Sequence, residues 1–453
     1  MRRQFFWMLF LFLPVLVKAQ IADEGLKFLV TSAYEKNDSI KINNFRIQQA
    51  KIDEQTTKFN YLPRVSSNLT YTRLNEDLVF PGDLQTLLLG TQSLLIKSKA
   101  GIPFNTALPS SVKLQPIPPI SEQNILKSSA NMQWLLFSGF KVDNGMKAYQ
   151  HQQKALSYLS DKQKTGIIVE TSDLYDKLAL LNAGDSVINR SQTVLNEQKR
   201  FVEGAIKNGL ATPLDRKKIE FALEKLNLRK VENNGQRLTL MYRLHQLTGI
   251  DLDNLSTLQP HLQPILLLND SSTVERVEIK SLNEAIEASR YKEKAEKAEY
   301  VPKLAAFGQY EFLKKDLTLL DPRWYVGLRL QWNLFDGLAA RNNAKKAVLD
   351  RKIYETQKQA AEDLIDFGKA RAKQQLQTAN QKILMANAQL SLSAETFDFV
   401  SKQYKNGLTT MTELLNALND LEKSRFDLQQ AYYEQRRAAI QLSDVNGTLI
   451  NNF

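Results

Sequence analysis

Side chains suited to acid–base, metal or nucleophilic chemistry are thinly spread in this chain of 453 residues. The three histidines, His151, His245 and His261, lie far apart, and no HExxH, phosphate loop or nucleophile elbow occurs. There is no cysteine, which removes disulfides, thiolate metal sites and lipid attachment through a thiol. Carboxylate pairs such as Glu362/Asp363 recur among lysines at helical spacing, the pattern of a solvated face rather than of a general acid and base. The sequence predicts no enzyme, no cofactor and no metal site. What it does repeat is a polar turn. Lys207-Asn208-Gly209-Leu210-Ala211-Thr212 follows Phe201-Val202, and Lys405-Asn406-Gly407-Leu408-Thr409-Thr410 follows Phe399-Val400; Gly209 and Gly407 stand 198 residues apart.

Asn-Gly after a long helical run is a stop signal, with glycine in the left-handed conformation that a side chain disfavours. Thr212-Pro213 and Thr410/Thr412 restart the chain, since Thr caps a helix N-terminus well and Pro suits its first position. Each motif therefore reads as the tip of two long antiparallel helices. Between Lys141 and Ile206, and again between Arg341 and Tyr404, the residues are largely helix formers without proline. A helix of that length would measure roughly 98 Å, far beyond a globular norm. Leu414, Ala417, Leu418, Leu421, Leu428, Ala431 and Tyr432 continue an apolar stripe after the second tip, as in coiled-coil packing.

The duplication reaches further. Gln133-Trp134-Leu135-Leu136-Phe137-Ser138-Gly139 matches Gln331-Trp332-Asn333-Leu334-Phe335-Asp336-Gly337 at the same offset of 198. Tyr61-Leu62-Pro63-Arg64 matches Tyr300-Val301-Pro302-Lys303 at 239, so the first copy holds 41 extra residues between Pro63 and Gln133. Pro81, Gly82, Pro103, Pro109, Pro116, Pro118 and Pro119 mark that insertion, about Asn75 to Asn124, as a long loop. The chain divides into a first repeat over 20–250, a linker over 251–280 and a second repeat over 281–453.

In each repeat a segment switches to period two. Trp324, Val326, Leu328, Leu330, Trp332 and Leu334 alternate with Tyr325, Gly327, Arg329, Gln331, Asn333 and Phe335, which predicts one strand over Trp324–Phe335. Its expected partner is Leu304–Leu313, and Val65–Leu74 with Lys127–Phe137 are the first-repeat equivalents. The hairpins thus occupy about 63–137 and 302–336. Trp324 and Trp332, eight residues apart, would span about 20 Å along a tilted strand, close to the apolar band of an outer-membrane barrel with aromatic girdles. Trp134 takes the corresponding place in the first repeat. A soluble hairpin burying its apolar face on a helix is the alternative.

Arg2 and Arg3, the apolar run Phe5–Val17 and Ala19 read as a signal peptide over 1–19, too short to span a bilayer and directing export. The formal charge of +11 is scattered through Lys/Glu mixtures, without the basic block that nucleic acid would demand. Four strands per chain cannot close a barrel, since the smallest bacterial ones have about eight. A cyclic oligomer with a membrane ring and a helical tube follows, its copy number open.

With these motifs in this order, the sequence resembles the TolC-type outer-membrane efflux and secretion channels over essentially the whole mature chain. The resemblance implies an α+β membrane protein: a homotrimer in outer-membrane lipid, with a twelve-stranded barrel and a periplasmic α-barrel of long antiparallel helices. It implies a passive conduit in a tripartite efflux or type I secretion system, docked to a periplasmic adaptor and an inner-membrane transporter. A periplasmic or surface coiled-coil structural or adhesion protein is the alternative. The adaptor contact would fall on the tips, Asn208, Gly209, Leu210 and Thr212 with Asn406, Gly407, Leu408 and Thr410. In the family a Tyr–Arg–Asp network and acidic rings close the entrance just after the second tip. The Tyr falls on Tyr404, the first acidic position on Glu413, the second on Asn416 and the Arg on Thr409; the last two depart from the pattern, so a single acidic ring and a differently built lock are expected.

Overall fold

The computed structural model describes residues 23–265, 274–313 and 323–453. The expected signal peptide, part of the 251–280 linker, and nearly all of the Lys314–Arg323 turn lie outside the described residues.

In chain order the helices and strands are α1 (Glu24–Lys36), α2 (Asp38–Lys58), β1 (Arg64–Arg73), α3 (Gly82–Lys99), β2 (Asn124–Phe137), α4 (Lys141–Lys207) and α5 (Pro213–Thr248). They continue with α6 (Leu252–Ser256), α7 (Val277–Lys297), β3 (Lys303–Leu313), β4 (Trp324–Gln331), α8 (Ala339–Lys405) and α9 (Met411–Val445). Two compact units result, and each draws on both sequence repeats. A helical unit takes the chain up to Ala50, His151–Glu287 and Arg351–Phe453; a sheet unit takes Lys51–Gln150 and Ala288–Asp350.

The helices α4 and α8, most of whose length belongs to the helical unit, are each 67 residues long, as the proline-free runs predict. One apolar core joins Leu26, Leu29 and Val30 of α1 to Ile168 and Leu178 of α4, Leu244 of α5 and Ile440 of α9. A second gathers Leu195 and Val202 of α4, Ile219 and Leu226 of α5, and Met411, Leu414 and Leu418 of α9. Polar groups also pair off between α4 and α9. Arg436 Nε donates to Asp176 Oδ1 at 2.8 Å and the Tyr433 hydroxyl to Asp173 Oδ1 at 2.7 Å, so residues three apart on α4 grip residues three apart on α9. Burial pushes the Asp176 carboxyl up, to about 6, although Arg436 pulls the other way. Among the described residues no helix is long and apolar enough to cross a membrane.

The sheet unit holds one four-stranded antiparallel sheet in the order β1-β2-β3-β4. The register places Val65 against Met132, Ala130 against Tyr310, and Tyr310 against Trp324. Two expectations are corrected here. The strand predicted over Trp324–Phe335 stops at Gln331, which pairs with Lys303. The next residue of the partner is Pro302, which has no N–H to continue the ladder. The insertion expected as loop from Asn75 to Asn124 contains α3 and a bridge between Leu78 and Ser121. No proline falls between Pro81 and Pro103, and Leu, Gln and Lys fill that gap, so the interval can wind into a helix.

Candidate functional site

The alternation of the strands resolves into two chemically distinct faces. Val65, Leu69 and Tyr71 of β1 share one with Ala130 and Met132 of β2, Ala306 and Tyr310 of β3, and Val326, Leu328 and Leu330 of β4. Among the described residues nothing covers it: Val326, Leu328 and Leu330 are 69–72% exposed. The opposite face carries Arg64, Ser66, Asn68 and Thr70, then Ser129, Asn131 and Gln133, then Gln309, Glu311, Arg329 and Gln331. The outer edges of β1 and β4 have no partner strand among the described residues.

Each hairpin is tied off by the two motifs that flag it in the sequence. Trp134 Nε1 donates to the carbonyl of Tyr61 at 2.8 Å, and Trp332 Nε1 to the carbonyl of Tyr300 at 2.9 Å. The hydroxyls of the same tyrosines reach the residue before the motif's glycine. Tyr61 Oη lies 2.8 Å from Ser138 Oγ and donates to Asp143 Oδ2 at 2.8 Å, while Tyr300 donates to Asp336 Oδ1 at 2.9 Å. Ser138 and Asp336 in turn accept from the backbone N–H four residues on, of Val142 at 3.2 Å and of Ala340 at 2.8 Å, at the start of α4 and α8. The repeated motifs mark Tyr61, Tyr300, Ser138 and Asp336 in the sequence without assigning them these bonds, and Asp143 lies outside the motifs. The recurrence of Tyr61 as Tyr300 and of a short polar residue, Ser138 or Asp336, before the motif's glycine is the available signal. Trp324, expected in the same girdle, makes no such bond; it opens β4 opposite Tyr310 and is 61% exposed.

The tips are built alike. Gly209 and Gly407 have φ of 71° and 72°. Leu210 N–H returns to Ala205 O at 2.8 Å and Leu408 N–H to Gln403 O at 2.9 Å, satisfying carbonyls that the helix ends leave open. Asn208 and Asn406 occupy the last turn before each glycine, donating to Ala205 O and Lys402 O. Thr212 and Thr410 then form reciprocal capping boxes with Asp215 and Glu413. Leu210 and Leu408 project into solvent, 83% and 74% exposed.

The four expected entrance residues sit on or near this second tip, with different surroundings. Glu413 accepts from the Thr409 hydroxyl and from the Thr410 N–H at 3.1 Å, which together hold its carboxyl below the usual range. Tyr404 packs edge-on to Phe201, 6.2 Å between ring centroids, linking the two tips; burial, then the Asp215 charge, pushes its hydroxyl up. Asn416 instead lines a cavity of about 250 Å³ with Lys218, Lys225, Arg229, Asn419 and Glu422. Thr409, at the position where the resemblance expects an arginine, thus bonds to Glu413 within one tip.

A fold with a duplicated hairpin sheet and paired long helices is directly comparable with solved proteins. The chain aligns with the outer membrane protein VceC of Vibrio cholerae over 93% of its length and 96% of that chain, at 15% identity and a TM-score of 0.71. This is the TolC-type outer-membrane channel fold. The Campylobacter jejuni CmeC outer membrane channel aligns over 95% of this chain and 87% of its own, at 15% identity and a TM-score of 0.69. The Neisseria gonorrhoeae MtrE outer membrane channel, solved in its open state, aligns over 94% and 89%, at 15% identity and 0.65. Residues 270–448 match the outer membrane efflux protein family, so the second repeat carries the family's sequence signal. No curated protein matches the sequence. The TolC-type fold accounts for the uncovered apolar sheet face and for the helical hairpins in one architecture.

Proposed function

We propose that this chain is an outer-membrane export conduit, in which copies of the sheet close into a transmembrane β-barrel and copies of the helical hairpins enclose a periplasmic tunnel. The observation that carries the reading is the open four-stranded sheet with an exposed apolar face and bare edges on β1 and β4. In lipid each unpaired backbone group at such an edge costs several kcal/mol, so the sheet must be closed by further copies. Three copies give twelve strands, in the manner of the family. The helical unit has a matching need: Leu364, Phe367, Leu384, Met385, Leu392 and Phe399 leave exposed apolar surface along α8 for a neighbour to cover. The conduit is passive and works with a periplasmic adaptor and an inner-membrane transporter, which meet it at the tips around Leu210 and Leu408. Glu413 supplies the acidic ring of the entrance, with Tyr404, Thr409 and Asn416 around it. The boundaries of the signal peptide at 1–19, the repeats at 20–250 and 281–453 and the linker at 251–280 belong to the same proposal.

The test is extraction and mass. The protein should stay with the outer membrane after osmotic shock, require detergent for release, and weigh three chains in mild detergent. Complete release by osmotic shock, or a monomer under those conditions, would overturn the reading.

A further inference from the structure

The polar face of the sheet carries one cluster that its hydrophilic neighbours do not explain. Phe307 of β3 stands on that face directly opposite Gly327 of β4. Its ring lies on the glycine, where a Cβ would come within 2.7 Å of the ring carbon Cζ. Glycine inside a strand weakens it, and an aromatic ring laid across from the neighbouring strand compensates. Arg329, two residues along the same face, sets its guanidinium over that ring, 5.1 Å from the centroid. Tyr325 meets the ring edge-on from the other side at 6.2 Å, and its hydroxyl donates to Gln309 Oε1 at 2.7 Å. The Gln309 amide reaches Glu311 Oε1 at 3.1 Å. Glu311, the acidic group of this face, is thus engaged by Gln309 and not by Arg329. Among the described residues no carboxylate pairs with the exposed Arg329.

A guanidinium stacked on an aromatic ring is held in place while its charge and its forked donors stay available. We propose that Arg329, positioned by Phe307 over Gly327, is an anion-selecting residue of the conduit, favouring solutes that carry carboxylate, sulfonate or phosphate groups. The proposal rests on the reading above, that the polar face lines the pore, and deepens it by naming a charge class of cargo. The surrounding charges agree in sign. Arg64, Lys127 and Lys303 share this face with Arg329 against Glu311, and Lys303 is occupied by Glu299 at 2.6 Å. One copy of Arg329 per subunit would then place a basic ring in the barrel, opposite in sign to the carboxylate ring proposed at the tips. Charges on a pore wall bias the ions that pass within about a Debye length, 8–10 Å at ordinary salt.

Ion selectivity separates this role from mere repair of the strand at Gly327. The full chain, in planar bilayers under a salt gradient, should show its anion-to-cation permeability ratio fall about two-fold or more in Arg329→Gln, with Arg329→Lys retaining most of it. Because the chain has no cysteine, Arg329→Cys offers a single thiol for modification inside one folded pore. An ammonium-bearing thiosulfonate should raise the anion preference and a sulfonate-bearing one should lower it. Reversal potentials indifferent to both reagents, with labelling verified by mass, would overturn the proposal while leaving the conduit intact. A wild-type protein that forms no pores would overturn the conduit reading and this proposal with it.

Discussion

Gly139 and Gly337 occupy the same place in the two copies of one motif, yet alanine should be tolerated very differently at each. Their φ angles are 67° and 68°, so either substitution forces a side chain into the left-handed region. That costs about 1–2 kcal/mol, offset by about 0.4–1 kcal/mol because the unfolded chain also loses freedom. These terms are common to both sites and cancel in the comparison. The surroundings do not cancel. A Cβ on Gly139 would lie 2.8 Å from Val301 Cβ and 3.2 Å from the carbonyl oxygen of Ala298, whereas a Cβ on Gly337 meets nothing within 4 Å. The obstructing Val301 atom is a branch carbon fixed to the backbone, so no rotamer change relieves the clash; the residues just before β3 must shift. Overpacking of this kind costs about 1–3 kcal/mol. Gly139→Ala should therefore lower stability by about 1–3 kcal/mol more than Gly337→Ala. The assay is guanidinium unfolding in detergent followed by tryptophan emission, since Trp134 and Trp332 each stand five residues before one of these glycines. Equal midpoints for the two variants would refute the steric argument, and no loss in either would refute the conformational one.

Replacing Thr410 by Ala should remove a reciprocal cap and cost about 1 kcal/mol, as should Thr212→Ala; protease cleavage confined to the affected tip is the readout. Burial pushes the Glu299 carboxyl up, but the bonds and charges of Lys141 and Lys303 outweigh it and bring it to about 2, against 4.5 for the free side chain. Its folded value is depressed, so the stability it contributes is present above pH 4.5 and drains away as pH falls toward 2; an acid titration should lose that component in Glu299→Gln. Glu413→Gln should weaken cation selectivity and divalent block in single-channel recordings more than Asp215→Asn does. Unchanged reversal potentials in Glu413→Gln would reduce it to the helix cap that its bonds to Thr409 and Thr410 already make it. The insertion between β1 and β2 is expected to face the cell exterior, so a tag near Ser98 should be reachable from outside intact cells, and protection there would overturn that orientation.

What the sequence revealed tracks the range of the interactions involved. The tips were legible because every bond that makes them, from Leu210 to Ala205 or Glu413 to Thr410, spans five residues or fewer. The long helices followed from missing prolines, and the strand faces from alternation. The end of β4 was misjudged because alternation continues through Trp332 and Leu334, while the limit is set by a proline on another strand. The helix α3 was hidden by prolines that flank it and do not enter it. The Trp–Tyr–Ser/Asp clasp was visible as a set of repeated letters, but its members are joined across 73 and 32 residues, where one sequence gives no distance. The sequence places Arg329 on the polar face of its strand but not on a ring, because that setting depends on Phe307 lying over Gly327 of the adjacent strand.

The order of the sheet has a consequence for genetics. Its two bare edges, β1 and β4, come from opposite repeats of one gene. In a closed ring of such chains every seam joins a first-repeat edge to a second-repeat edge, head to tail. In such a ring the two repeats are therefore under different obligations despite their shared motifs: each must fit the other one's edge, and neither need fit its own. Drift in β1 can be answered only by drift in β4, within the same reading frame. In such a ring a subunit with one damaged edge would still offer a sound one, so it would enter rings made by healthy subunits and leave each with a broken seam. Such an allele should behave as dominant.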